Sequence, residues 1–192
     1  MLSLLAELMM GRPIEDSGFS HWMDRGSEME AEAVNFYEFQ RDIETVKIGF
    51  VTNDDVSIGA SPDRFVGDDG LLEIKCPSPG IHVGYLMQSG GAYEKYRVQV
   101  QGQLWVTGRQ WSDTLSYHPE MPMALYRVER DDAYIELLAA EVTAFSAKLE
   151  ILFAEVITRG WVRQKREKTL PTRDILQTMR EVMVEANARR GE

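Results

Sequence analysis

The stretch from Ser57 to Lys75 constrains this chain more than any other. Two strand-forming runs, Ser57–Val66 and Leu71–Lys75, flank the turn sequence Gly67-Asp68-Asp69-Gly70. So short a link forces the runs into an antiparallel hairpin. With Gly67–Asp69 as a three-residue loop and Gly70 left-handed at a bulge, Asp63 falls opposite Glu73. Glu73 and Lys75 are two apart on a strand and share a face, while Ile74 points to the other. Two carboxylates and an ammonium then converge. Burying them unpartnered costs on the order of several kcal/mol. A divalent cation held by Asp63 and Glu73 would offset that cost, since Mg²⁺ takes one or two carboxylates, waters and a substrate phosphate. Lys75 would help deprotonate or orient an attacking water, or neutralise charge on the phosphorus centre. The plain alternative is a surface hairpin with a solvated Glu–Lys pair.

The rest of the chain supplies a frame for such a hairpin. Its 192 residues are enough for one domain with a real core. Helical spacing and stop signals predict helices over Leu2–Met10, about Ser20–Arg41, Ala92–Thr107, about Asp131–Arg159 and from Thr172 onward. Strand patterns mark Thr45–Thr52, Trp111–Tyr117 and Met123–Arg127, and Ile81–Met87 reads as a short helix or a loop. In the second helix Trp22, Met29, Ala33, Phe36 and Tyr37 form the apolar stripe. In the long one the stripe is Ile135, Leu138, Val142, Phe145, Leu149, Leu152 and Val156. This order predicts a mixed α/β domain around a central sheet.

Several function classes are excluded. No GxGxxG or GxxxxGK[ST] loop occurs, and no apolar run is long enough to span a bilayer. The apolar N-terminus lacks a basic leader and a small-residue cleavage site, so it is expected to be a helix of the fold. The single cysteine, Cys76, rules out an internal disulfide and suits a reducing compartment. It is expected to be a packed thiol. His21, His82 and His118 lack ligand spacing and are expected to be structural or surface residues. A net charge of −10 is unusual for a nucleic-acid binder, but Trp161–Glu192 carries eight Arg or Lys against five acids. Glu30 sits at the edge of its helix's apolar stripe, where a carboxylate needs a partner: a metal near the hairpin, or Arg25 at the surface. Tyr96, Gln99 and Gln103 share one helix face at i, i+3, i+7, with Gln101 on another. Gln99 suits contact with a phosphate or a metal-held water, and an ordinary polar helix face is the alternative.

Five segments, Met23–Ala33 (MDRGSEMEAEA), Gly59–Phe65 (GASPDRF), Leu71–Pro77 (LLEIKCP), Val98–Gly108 (VQVQGQLWVTG) and Tyr126–Asp132 (YRVERDD), stand in the order and rough spacing of a known family. Together they resemble the lambda-exonuclease-like, YqaJ-type viral recombinases, alkaline exonucleases of the wider PD-(D/E)xK nuclease superfamily. The resemblance implies a restriction-endonuclease-like core, a central mixed sheet flanked by helices. It implies metal binding by Asp63, Glu73 and the main-chain carbonyl of Ile74, with Lys75 assisting the nucleophilic water. Glu30 would complete the metal site or poise the water, and Gln99 would reach the active centre from its helix. Arg25, Gln99 and Gln103 are the candidate DNA contacts.

The implied activity is Mg²⁺- or Mn²⁺-dependent 5′→3′ degradation of linear duplex DNA with two ions, leaving 3′ overhangs for phage-type recombination. The implied partners are double-stranded DNA ends, two further copies in a homotrimer, and a single-strand annealing protein. The implied setting is a bacterial cytoplasm, phage or prophage encoded, with no membrane. The domain boundaries expected are 1–162 for the nuclease and 163–192 for a basic helical extension. The family usually carries some tens of residues before Leu2, including a helix that recognises the 5′ end; this chain is expected to begin inside that region. Arg64 stands where the family tends to have Gly, with its side chain expected to face away from Asp63. The alternatives are an endonuclease or junction resolvase of the superfamily, a non-catalytic DNA-binding module, and a scaffold assembling through the basic C-terminal helix without metal.

Overall fold

The structure, a computed structural model, describes residues 1–14, 21–53 and 58–162, with backbone alone for 21–28. The expected extension at 163–192 and the side chains of His21, Trp22 and Arg25 lie outside the described residues. The described residues divide into two compact units, one of residues 21–53 and 58–142 and one of residues 1–14 and 143–162. In the second unit, α1 (Leu2–Met10) buries Leu5 and ends at Gly11, left-handed at φ 63°.

The first unit holds the sheet. Helix α2 (His21–Arg41) leads into β1 (Thr45–Lys47), β2 (Val51–Thr52), β3 (Gly59–Ala60), β4 (Arg64–Val66) and β5 (Gly70–Lys75). Helices α3 (Pro79–Met87) and α4 (Tyr93–Thr107) cross over to β6 (Trp111–Ser116) and β7 (Ala124–Glu129), and α5 (Asp132–Thr158) follows. Five strands lie in the order β1-β4-β5-β6-β7, with β5 and β6 parallel and the other pairs antiparallel. A parallel pair needs a long crossover, which α3 and α4 provide. The expected mixed α/β class holds.

Two expected strands are each broken in two. Thr45–Thr52 divides into β1 and β2, and Ser57–Val66 into β3 and β4, so that β2 and β3 form a separate ribbon. Pro62, fully buried, has no N–H for a ladder, and the break passes to the facing strand at Gly49.

Apolar side chains cover both faces of the sheet. On one, Met29, Ala33, Val34 and Tyr37 of α2 pack with Val66, Leu72, Ile74 and Leu115. On the other, Val100 and Leu104 of α4 pack on Leu71. A fully buried Val, Leu, Ile or Met side chain among these contributes about 1.5–3 kcal/mol. Phe36, expected in the stripe of α2, is 41% exposed, and Val34 takes the inward place. Phe145 of α5 is also exposed, while Ile135 and Val156 are buried as their spacing predicts.

The hairpin register is the expected one: Arg64 faces Leu72, Phe65 faces Leu71 and Val66 faces Gly70, which carries Asp63 opposite Glu73. The turn reaches it differently. Gly67, at φ 53°, is the left-handed residue, and Gly70 is extended inside β5. Gly70 is required for space: a Cβ there would lie 2.1 Å from Cζ2 of Trp111. That indole is held by its Nε1 donating to Asp69 Oδ1 at 3.0 Å and by the Arg127 guanidinium 3.6 Å from its ring centroid. Arg109 closes the turn by donating to the carbonyls of Gly67 (2.9 Å) and Gly70 (2.8 Å) while stacking on Phe65. Gly70→Ala should therefore cost about 1–3 kcal/mol, the usual penalty of overpacking. Urea unfolding measures it, and an unchanged midpoint would show that Trp111 yields freely.

Candidate active site

Glu73 occupies the middle of β5 and is 1% exposed. A carboxylate so buried needs donors, and three are present. Lys75 Nζ lies 2.5 Å from Oε1, Gln99 Nε2 donates to the same oxygen at 2.7 Å, and Gln103 Nε2 donates to Oε2 at 2.7 Å. The helical spacing that puts Gln99 and Gln103 on one face of α4 brings both amides down on one side chain. Tyr96, one turn earlier, sets its ring 4.6 Å from Lys75 Nζ. Gln101 faces elsewhere and ties α4 to the backbone at Glu129 and Asp131.

Asp63 is half-buried just before β4, and its Oδ2 accepts the Ile74 N–H at 2.6 Å. Burial and the Glu73 charge push its carboxyl up to about 7, with a smaller contribution from Glu30. Glu30, half-buried on α2, thus lies within electrostatic reach of the pair. Burial alone would lower Lys75, but the charge and hydrogen bond of Glu73, with Asp63, hold it above its ordinary value, so it is an ammonium. The structure brings Asp63, Glu73, Lys75, Gln99 and Glu30 into one neighbourhood. Gln103 stands apart from its expected role as a DNA contact, because at 3% exposure its amide is spent on Glu73. Ile74 has its side chain in the core and its N–H on Asp63.

A second polar cluster was not anticipated. Asp113 of β6, fully buried on the α2 side of the sheet, accepts from Tyr37 Oη at 2.7 Å and from Arg127 through two bonds of 2.8 and 2.9 Å. The only sequence signal was a lone aspartate inside a strand pattern. Three of its four lone pairs are used, and its charge is matched by a bidentate guanidinium, as in a structural pair. His82 is also structural. The Pro122 carbonyl can only accept, so Nε2 donates to it at 2.9 Å and Nδ1 meets Ser116 Oγ at 2.7 Å. His118 is buried beside it. Burial pushes the Cys76 thiol up to about 11, with Glu30 and Asp63 adding to it, which suits a packed thiol and not a nucleophile. Glu38, its carboxyl lowered chiefly by the hydrogen bonds from Thr45 and in smaller part by Arg64, places that guanidinium on the α2 side and away from Asp63.

The YqaJ-like viral recombinase domain family matches residues 1–110, more than half of the chain. The chain belongs to this family. Among solved structures, this YqaJ-like chain is similar to an alkaline exonuclease, LHK-Exo, from Laribacter hongkongensis. They share 33% identity over 83% of this chain and 82% of that one, with a TM-score of 0.75. The same protein in complex with dAMP matches at TM-score 0.76. A phage-related exonuclease from Haemophilus somnus shares the fold at 16% identity and TM-score 0.66, over 81% of each chain. No curated protein sequence matches the chain. Among the described residues, no helix is long and apolar enough to cross a membrane.

The chemistry of the site suits a hard divalent cation. Its charged groups are three carboxylates against one ammonium, and the carbonyl oxygen of the Gln103 side chain is buried without a partner. Among the described residues no three His, Cys, Asp or Glu side chains are grouped to enclose a metal, so Asp63 and Glu73 would hold it with water and substrate oxygens. Without a cation, Asp63 binds its proton more tightly folded than unfolded, where it titrates near 3.8. Its stabilising contribution is therefore complete below 3.8 and lost as pH rises through about 7. In chelator, the melting temperature of the wild type should fall from pH 5 to pH 8 more steeply than that of Asp63→Asn. Parallel slopes for the two proteins would show that Asp63 titrates normally.

Proposed function

We propose that this YqaJ-like protein is a Mg²⁺- or Mn²⁺-dependent exodeoxyribonuclease that degrades linear double-stranded DNA from its 5′ ends and leaves 3′ overhangs. The observation that carries this reading is the convergence of Asp63, Glu73 and Lys75 on one face of the β4–β5 hairpin, with Gln99 reaching in from α4. Family membership and the likeness to an alkaline exonuclease support a nuclease role. The complex of that relative with dAMP, a deoxynucleoside monophosphate, is consistent with mononucleotide release.

Asp63, Glu73 and the Ile74 carbonyl would hold one or two ions. A bound cation polarises the phosphodiester and offsets the charge developing on its oxygens. The chain's own groups do the rest. Lys75, charged and steered by Glu73 and the Tyr96 ring, orients the attacking water and neutralises charge on the phosphorus centre. Glu30 is the third carboxylate available to poise that water. Gln99 is exposed and can turn from Glu73 toward a phosphate oxygen. Arg25 would bind the DNA backbone, as a cation must on a chain of net charge −10. The same reading makes the protein a homotrimer that works with a single-strand annealing protein, and sedimentation in solution tests the assembly.

Digestion of linear duplex DNA with Mg²⁺, beside the same DNA as a closed circle, tests the activity. Loss of the linear form alone is expected, faster with a 5′-phosphate than with a 5′-hydroxyl. Cutting of the circle would replace the reading with an endonuclease, and no cutting under broad metal and pH screening would falsify it. Lys75→Ala should lower cleavage by about 10²-fold or more, the scale of losing an electrostatic donor, with DNA binding retained in a gel-shift assay. Gln99→Ala should show a partial defect in the same assay.

A further inference from the structure

Glu73 is gripped by α4 at two points, and the second has no explanation in packing. Gln103 is 3% exposed, and its Nε2 donates to Glu73 Oε2 at 2.7 Å while its own Oε1 is buried without a partner. An unpaired buried carbonyl oxygen costs about 1–3 kcal/mol. A methionine of similar shape would avoid that cost, so the amide at this position answers to the carboxylate it touches. Thr114, beside Glu73 on β6, leaves its hydroxyl unpartnered and does not compete for Glu73.

The lone pairs of Glu73 show what the amide controls. Each carboxylate oxygen offers two. Oε1 receives both Lys75 Nζ and Gln99 Nε2, whereas Oε2 receives Gln103 alone. The remaining lone pair therefore belongs to Oε2, and the Gln103 bond sets the rotation of the carboxylate that carries it. We infer that Gln103 is a positioning residue, whose amide orients Glu73 so that the open lone pair of Oε2 is presented to a divalent cation. This rests on the metal-dependent reading above. Gln103 touches no substrate and acts only through Glu73.

The test is Gln103→Met in the full chain. Mn²⁺ binding without DNA, followed by electron paramagnetic resonance, should weaken about 10-fold or more, the scale on which partners of metal ligands act. With linear duplex DNA at saturating Mg²⁺, kcat should fall about 10–100-fold while KM for DNA stays unchanged. A purely structural amide would lower the melting temperature and leave both the Mn²⁺ affinity and kcat of the folded protein untouched, which would overturn the inference. If Gln103→Met does not fold, Gln103→Asn keeps an amide but withdraws the donor by one methylene. It should lose the same affinity, and wild-type Mn²⁺ binding by that variant would overturn the inference equally. A wild-type protein that neither binds Mn²⁺ nor cuts DNA overturns the functional reading, and this inference with it.

Discussion

A carboxylate buried in the middle of the central sheet sets the terms for the rest of this structure. Glu73 is 1% exposed, and an ionised group in that place is tolerable only when hydrogen-bonded. One donor comes from its own strand, through Lys75, and two come from α4, through Gln99 and Gln103. Helix α4 must therefore lie across β5 in one rotation. The parallel β5–β6 pairing makes that possible, because its crossover carries α4 over the sheet between the two strands. The hairpin is equally bound by this demand. Its turn, closed by Arg109 and wedged by Trp111 against Gly70, places Asp63 opposite Glu73, and a slip of one residue would turn Asp63 away.

The two faces of the sheet show what separates a structural charge from a site. Asp113 and Glu73 stand on adjacent strands, with Asp113 facing α2 and Glu73 facing α4. Asp113 is answered by a bidentate Arg127 and by Tyr37, with Arg41 at 4.0 Å. Such a pair is closed and gains by staying so. On the other face, Glu73 and Asp63 share Lys75, and burial together with the Glu73 charge raises the carboxyl of Asp63, with a smaller contribution from Glu30. Buried charge left unmatched in this way is what sets a candidate site apart from a structural pair.

Much of this was legible in sequence, for particular reasons. The period-two alternation of Leu71–Lys75 and the three-residue loop before it were enough to align Asp63 with Glu73, because register in a hairpin follows from loop length. The i, i+3, i+7 spacing of Tyr96, Gln99 and Gln103 was enough to place them on one face, because helix geometry is local. Less legible were the features that depend on long-range contact. The ladder break at Pro62 divided two expected strands, and the left-handed residue moved from Gly70 to Gly67 once Trp111 claimed the space above Gly70.

Sequence by itself determined the fold class, the hairpin register and the placement of Asp63, Glu73 and Lys75 on one face, since each follows from periodicities that a chain carries locally. Only the tertiary structure decided the fate of the two glutamines, leaving Gln99 exposed beside Glu73 and Gln103 buried behind it. It also decided that Asp113, three residues after Gln110 and unremarkable in sequence, would be matched by Tyr37 from α2 and Arg127 from β7. The reason is physical. Which polar group is buried, and against which partner, depends on how helices settle on a sheet, and a one-dimensional pattern records the face of an element but not what that face will meet.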